Sequence, residues 1–219
     1  IANYMKDLPG NPRLTAILLT HTHKDHSLGA ERLSSLTGAE VFVHAEEYDE
    51  IPDVPRRKVV ADGETIAVGD LHLRAIHTPG HSPGHICWYL EEEKVLFSGD
   101  HIVGEGTVVI APPHGDMGEY LRSLDALKRL DLRALCPGHG PVIQTPYDKI
   151  QEYIDHRLMR ERQVLEGLSQ GLATIEELVK RIYVDVPLLL HPLAAFSVKA
   201  HLIKLEREGR VKAQGERYF

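Results

Sequence analysis

The sequence predicts an α/β (α+β) domain over residues 1–145, followed by a smaller winged-helix-like domain over residues 146–219. Short apolar runs alternate with Gly/Pro turns through the first two thirds, the pattern of a sheet-based domain. At Thr145-Pro146 the pattern changes to three amphipathic helices and a short two-strand signal. The first strong strand, Leu14–Thr20, ends directly in His21-Thr22-His23-Lys24-Asp25-His26, a loop dense in reactive side chains.

Leu14–Thr20 is largely apolar and reads as a buried strand. Val41–Val43, Thr65–Val68, Leu71–Ile76, His85–Leu90 and Lys94–Phe97 are further strands, the last two flanking an acidic hairpin turn at Glu91–Glu93. Tyr120, Leu124, Leu127 and Leu130 fit one helical face, and Arg133–Cys136 is another short strand. Beyond it, Thr145 is placed to cap a helix with Pro146 at its first position. The apolar stripe of that helix is Ile150, Ile154, Leu158 and Leu165, and Gly167 and Gly171 break it. Thr174 and Glu177 form a capping-box pair for a second helix, which holds Leu178 and Ile182. A third helix runs from about Pro192 to Gly209 with Val198, Leu202 and Leu205 on its core face. Residues 210–213, a Gln214-Gly215 turn and residues 216–219 close the chain as a hairpin.

Hydrophobic residues at 42% and charged residues at 26% of the 219 mark a globular chain. No apolar run approaches the roughly 20 residues that span a bilayer, so no membrane is expected. Cys87 and Cys136 are too few for a disulfide framework; a reducing, cytoplasmic location is the expectation. Of the net charge of −7, residues 1–150 carry −8 and residues 151–219 carry +1, which argues against bulk electrostatic binding of nucleic acid by the body. The tail is near balance. Its basic residues, Arg157 to Arg217, interleave with acids such as Glu161 and Glu208 and read as a mixed, solvated surface.

Fourteen histidines ask for a reason. His21 and His23, two apart after a strand, point the same way. With Asp25 and His26 they put four ligands into six residues, too many to converge on one tetrahedral ion. Two ions sharing the loop resolve this. His81, Asp100 and His139 each follow a predicted strand, in "HTPGHSPGH", "LFSGDH" and "CPGHGP", and are further ligand candidates.

The order HTHKDH, HTPGHSPGH, FSGD, CPGHG resembles the metallo-β-lactamase superfamily of dinuclear hydrolases, over almost all of residues 14–145. The resemblance implies an αββα sandwich. It implies one ion on His21, His23 and His81, a second on Asp25, His26 and His139, and Asp100 bridging them. It also implies strands before the HTHKDH loop, some 50 residues by strand and loop lengths. This chain starts 20 residues before His21, so the N-terminal strands are expected to be lacking, with an exposed sheet edge. "LFSGDHIVGEGT", "PGHGPVI", "KIQEYIDHR" and the tail narrow the resemblance to the β-lactamase-like protein 2 subgroup, which carries an appended winged helix and is associated with cleavage of single-stranded RNA.

Five His and two Asp suit Zn²⁺, with Mn²⁺ or Fe²⁺ also compatible. The similar diiron flavoproteins usually carry Glu where His23 stands, which favours zinc. The expected chemistry is attack by a metal-bridging hydroxide, with Asp25 as proton acceptor and Asp100 as bridge, both classed as catalytic. His85 and His101 are candidates to support the ligands or touch substrate. Single-stranded RNA is the first substrate expectation, with nucleic-acid contact through residues 146–219 left open. A small-molecule thioester or lactone, as in glyoxalase II, is the alternative. A non-catalytic winged-helix binding module on a metal-stabilised scaffold is a third reading. Oligomeric state stays open, with a homodimer among the options.

Overall fold

The computed structural model of the chain describes residues 1–10 and 12–219. Two sheets stack to form the body. The first holds β1 (Ala16–Leu18), β2 (Glu40–His44) and β3 (Arg57–Val60), all parallel and in that order. The second runs β4 (Thr65–Val68), β5 (Leu71–His77), β6 (Ile86–Leu90), β7 (Val95–Gly99) and β8 (Ala134–Pro137). It is antiparallel up to β7, and β8 joins parallel.

Strand alternation explains the layers. In β2, Phe42 packs between the sheets against Ile86 and Trp88, while Val41 and Val43 face outward to Ala30, Ile51 and Val54. Ala30 opens α3 (Ala30–Thr37), which follows α1 (Ala2–Lys6) and the one-turn α2 (Lys24–Ser27). In β6, Ile86 and Trp88 point inward, and Cys87 and Tyr89 point to a core formed with α4 (Met117–Leu127) and α5 (Pro146–Ser169). The Trp88 indole N–H, buried in this sandwich, donates to the Leu19 carbonyl of the opposite sheet at 3.0 Å. The result is the αββα sandwich.

The tail is α5, α6 (Ile175–Ile182), α7 (His191–Arg207) and a small hairpin, β9 (Ala213–Gln214) with β10 (Arg217–Tyr218). Val198, Leu202 and Leu205 of α7 pack with Leu178, Ile182 and Val211 in a second core. The Thr174–Glu177 capping box forms as predicted. Helix α5 joins the two cores, with Ile150 and Tyr153 in the first and Val164 in the second.

Several expectations are corrected. Strand β1 is shorter than Leu14–Thr20 and half-buried rather than buried, because it pairs on one side only, with β2. Beside it, Leu18, Leu73, Trp88 and Phe97 line an open cavity of about 290 Å³. Strand β3 escapes sequence detection because its Arg57-Lys58 start breaks the apolar pattern. Thr145 stands at the α5 N-cap without a side-chain cap bond. Gly167 does not break α5; the helix continues to Ser169, and a Cβ at 167 would sit 2.6 Å from a Leu178 methyl. The α5 core face is turned from the predicted stripe and carries Ile150, Tyr153, Arg157, Glu161 and Val164. Arg157 and Glu161 are therefore buried, not solvated. The hairpin turn falls at Gly215-Glu216, one residue later than read. Finally, Leu188–Arg207 is long and apolar enough by composition to cross a membrane. Lys199 and Lys204 interrupt it, Val198, Leu202 and Leu205 face the winged-helix core, and Leu188, Leu189, Leu193 and Phe196 are exposed.

Candidate metal centre

The seven predicted ligands lie along one rim of the sandwich. β1 leads into His21 and His23, and the one-turn α2 carries Asp25 and His26. His81 lies in the turn between β5 and β6, Asp100 follows β7 and His139 follows β8. They form two groups, each with donor atoms within 4.8 Å of one another: His21, His23 and His81, then Asp25, His26, Asp100 and His139. In the first, His23 Nδ1 is 3.0 Å from both His21 Nε2 and His81 Nε2. In the second, His139 Nε2 is 3.1 Å from Asp25 Oδ2 and 3.2 Å from His26 Nε2.

Asp100 lies between the groups. Its Oδ1 is 3.3 Å from His26 Nε2 and 3.6 Å from His139 Nε2, and its Oδ2 is 3.9 Å from His81 Nε2.

These donors fit divalent cations. Metal–nitrogen bonds of about 2.0–2.1 Å in a tetrahedron put ligand atoms about 3.3 Å apart, close to the spacings here. Asp100 Oδ1 is buried and has no hydrogen-bond partner, an arrangement that costs free energy unless something positive satisfies it. Space is kept open as well. A Cβ on Gly138 would lie 2.7 Å from His26 Cε1 and 3.0 Å from Asp100 Oδ1, so only glycine fits beside the second group.

The electrostatics divide the groups. Burial, reinforced by neighbouring imidazoles, pulls His21 down to about 2, and burial also lowers His81. Both stay neutral near pH 7, with lone pairs available, as a ligand requires. The Asp100 carboxylate raises His26. Burial works to raise Asp100 itself, but the imidazoles around it hold it below the usual carboxylate range.

A supporting layer sets the ligands' orientation. His81 Nδ1 donates to the Val109 carbonyl at 3.0 Å, and Thr20 Oγ1 lies 3.1 Å from His21 Nδ1. His85 is fully buried; its Nε2 accepts the Asp100 backbone N–H at 3.2 Å and its Nδ1 bonds Thr78 Oγ1 at 2.9 Å. His85 thus supports Asp100, and burial rules out substrate contact. The same correction applies to His101, which is fully buried against the Tyr120 ring, beneath the cleft rather than lining it. Burial, with the charges of His81 and Arg157, takes His101 down to about 3. His77 donates to the Pro83 carbonyl and stacks on His44, a turn-holding role.

Sequence reasoning missed Glu47, which is buried and accepts hydrogen bonds from Thr22 and Ser82, beside the ligands. The run Glu46-Glu47 carries no motif, and no spacing rule singles Glu47 out.

Residues 8–139 match the profile of the metallo-beta-lactamase superfamily. The chain belongs to the metallo-beta-lactamase superfamily. Members of this superfamily are generally metal-dependent hydrolases. Residues 174–218 match the beta-lactamase associated winged helix domain that accompanies the superfamily fold here. A beta-lactamase-like protein 2 homolog of Caenorhabditis elegans is 36% identical over 205 residues, covering 92% of this chain and 68% of that protein. An atrochrysone carboxyl ACP thioesterase of Aspergillus fumigatus is 35% identical, covering 91% of this chain and 65% of that protein. This superfamily chain therefore spans about two thirds of the length of these relatives. The crystal structure of a metallo-beta-lactamase family protein from Thermus thermophilus superposes with a TM-score of 0.78 at 28% identity, covering 94% of this chain and 79% of that one.

Proposed function

We propose that this protein is a two-cation hydrolase acting on an acyl ester or thioester. The reading is carried by one carboxylate, Asp100, whose oxygens are divided between two donor groups. His21, His23 and His81 would hold one cation, and Asp25, His26 and His139 the other, with Asp100 shared. Zn²⁺ is the proposed ion, since nitrogen and oxygen donors without thiolate suit it. Held there, divalent cations lower the pKa of water and polarise the electrophilic oxygen.

The chain's own residues do the rest. The Asp25 side chain is 57% exposed at the open side of the rim, where it is placed to take a proton from the attacking water. His85 holds the backbone of Asp100, and the Val109 carbonyl fixes the His81 tautomer. A cysteine nucleophile is excluded for Cys87: it is fully buried, and burial pushes its thiol up to about 12.

The charge at the mouth supports an acyl substrate. Glu46 and Glu50 share a cavity of about 120 Å³ with His23 and His114, and a polyphosphate there meets like charge. Four basic side chains of the tail pair within the protein: Lys204 and Arg210 on Glu161, Arg207 on Asp116, Lys180 on Glu176. A relative named as a thioesterase stands at 35% identity.

Phosphodiester cleavage of single-stranded RNA is the second reading, favoured by the appended winged helix. The test is Zn²⁺-reconstituted protein assayed on acyl thioesters, S-lactoylglutathione and a labelled single-stranded RNA, with Asp100→Ala as control. Thioester turnover that vanishes in Asp100→Ala, with RNA intact, supports the first reading. RNA cleavage lost in the same variant, with thioesters untouched, replaces it with the second. Full metal loading without any turnover leaves a binding module.

A further inference from the structure

We propose that Glu47 is a positioning residue for the first cation site, the group of His21, His23 and His81. The inference rests on the two-cation reading above. Glu47 lies in the 3-10 turn Ala45–Glu50 that follows β2, and it is 3% exposed. Its Oε2 accepts the Thr22 backbone N–H at 2.6 Å and the Thr22 hydroxyl at 2.9 Å. Its Oε1 accepts the Ser82 hydroxyl, and the Gly84 N–H at 3.2 Å. Thr22 is the residue between His21 and His23, and Ser82 directly follows His81. One carboxylate therefore grips both loops that deliver the three imidazoles, one oxygen to each loop.

The arrangement is specific to a carboxylate. Four donors converge on it and it has none to offer back. A glutamine of the same shape would turn its NH₂ toward donors on one of the two loops and release that loop. Glu47 also supplies charge. The first group has three imidazoles and no carboxylate, whereas the second contains Asp25 and Asp100. A buried carboxylate bonded to both ligand loops would balance a cation held there, and burial would strengthen that attraction. The fit is close: a Cβ on Gly84 would meet Glu47 Cγ at 2.9 Å.

A carboxylate that merely staples the fold and one that sets a metal site differ in a measurable way. The experiment titrates the metal-free full chain with Zn²⁺ against a chelating indicator, with and without Glu47→Gln, in two backgrounds. In His139→Ala, which keeps the first group whole, Glu47→Gln is expected to weaken Zn²⁺ binding roughly ten- to hundredfold. In His23→Ala, which keeps the second group whole, the same substitution is expected to leave affinity within about twofold. Unchanged affinity in the His139→Ala background overturns the proposal. An equal loss in both backgrounds also overturns it, since that marks general loosening. If the wild-type protein binds no Zn²⁺, the two-cation reading falls and the positioning role falls with it. Should Glu47→Gln fail to fold, Ser82→Ala removes a single donor and is expected to weaken Zn²⁺ about threefold, in the His139→Ala background alone; no change there overturns the proposal.

Discussion

Arg157 on α5 donates to the Thr107 hydroxyl at 2.8 Å, across 50 residues of sequence. The same nitrogen donates to the Val108 carbonyl. The next carbonyl, Val109, accepts from His81 Nδ1. Tyr153, one turn earlier on α5, holds the same loop through Val103. The helix that opens the tail is thereby linked to a ligand of the first site.

Arg157→Met should therefore strip the loop of its anchor. The lost partners are buried, and unsatisfied buried acceptors cost about 1–3 kcal/mol each. Urea unfolding should give an unfolding free energy lower by an amount in that range. Arg157→Lys keeps the charge but ends in a shorter side chain with a more strongly hydrated ammonium, and it should recover stability only in part. In both variants kcat/KM should fall more than expression or secondary structure does, as loop 103–109 loosens around His81.

Asp100→Asn keeps the shape and removes the shared negative charge. Metal content measured by plasma emission should fall from two equivalents toward one, and hydrolysis should fall at least about a hundredfold, beyond the loss typical of second-layer changes. Treating the wild-type protein with a chelator should abolish turnover, and adding back Zn²⁺ should restore it. Two equivalents retained by Asp100→Asn would refute the bridging role.

Gly138→Ala forces a Cβ against His26 and Asp100. Overpacking of about 1–3 kcal/mol corresponds to roughly a ten- to hundredfold loss of affinity. The loss should appear at the second site alone, and a Zn²⁺ titration resolves it as one weakened step of two.

Glu161 sets an acid limit on stability. Burial alone would raise its carboxyl, but His201 and Lys204 facing it hold it down to about 2. Lys204 Nζ stands 2.7 Å from one oxygen and an Arg210 nitrogen 3.0 Å from the other. Its folded value lies below the ordinary 4.5, so its stabilisation is fully present above about pH 5. It is lost progressively as pH falls toward 2. Melting temperatures recorded from pH 6 to pH 3 should decline, and Glu161→Gln should start lower and decline less steeply. Parallel curves for the two proteins would exclude Glu161 as the group responsible.

Much of the site was legible in the amino-acid order. His21, His23, His81, Asp100 and His139 each follow a strand, and strand ends of a sandwich meet along one rim. Ligand chemistry therefore follows from local pattern plus sheet geometry. The winged helix was legible too, through the Thr174–Glu177 box and the stripe Val198, Leu202 and Leu205. Strand β3 was not, because its first residues are charged. Nor were the burial of Arg157 and Glu161 or the grip of Glu47, since each depends on partners tens of residues away.

The sequence by itself determined an α/β body, the tail and the seven ligand candidates through short-range periodicity and ligand types in turns, and its resemblance to a known superfamily implied the sandwich. Only the tertiary structure decided which side chains hold those ligands in place. His85, a candidate for either ligand support or substrate contact, lies beneath Asp100; Glu47, which no motif marks, joins two ligand loops; Arg157, on the tail, anchors a third. The physical reason is that a buried polar group must find its partner wherever folding brings one, and sequence distance carries no record of that encounter.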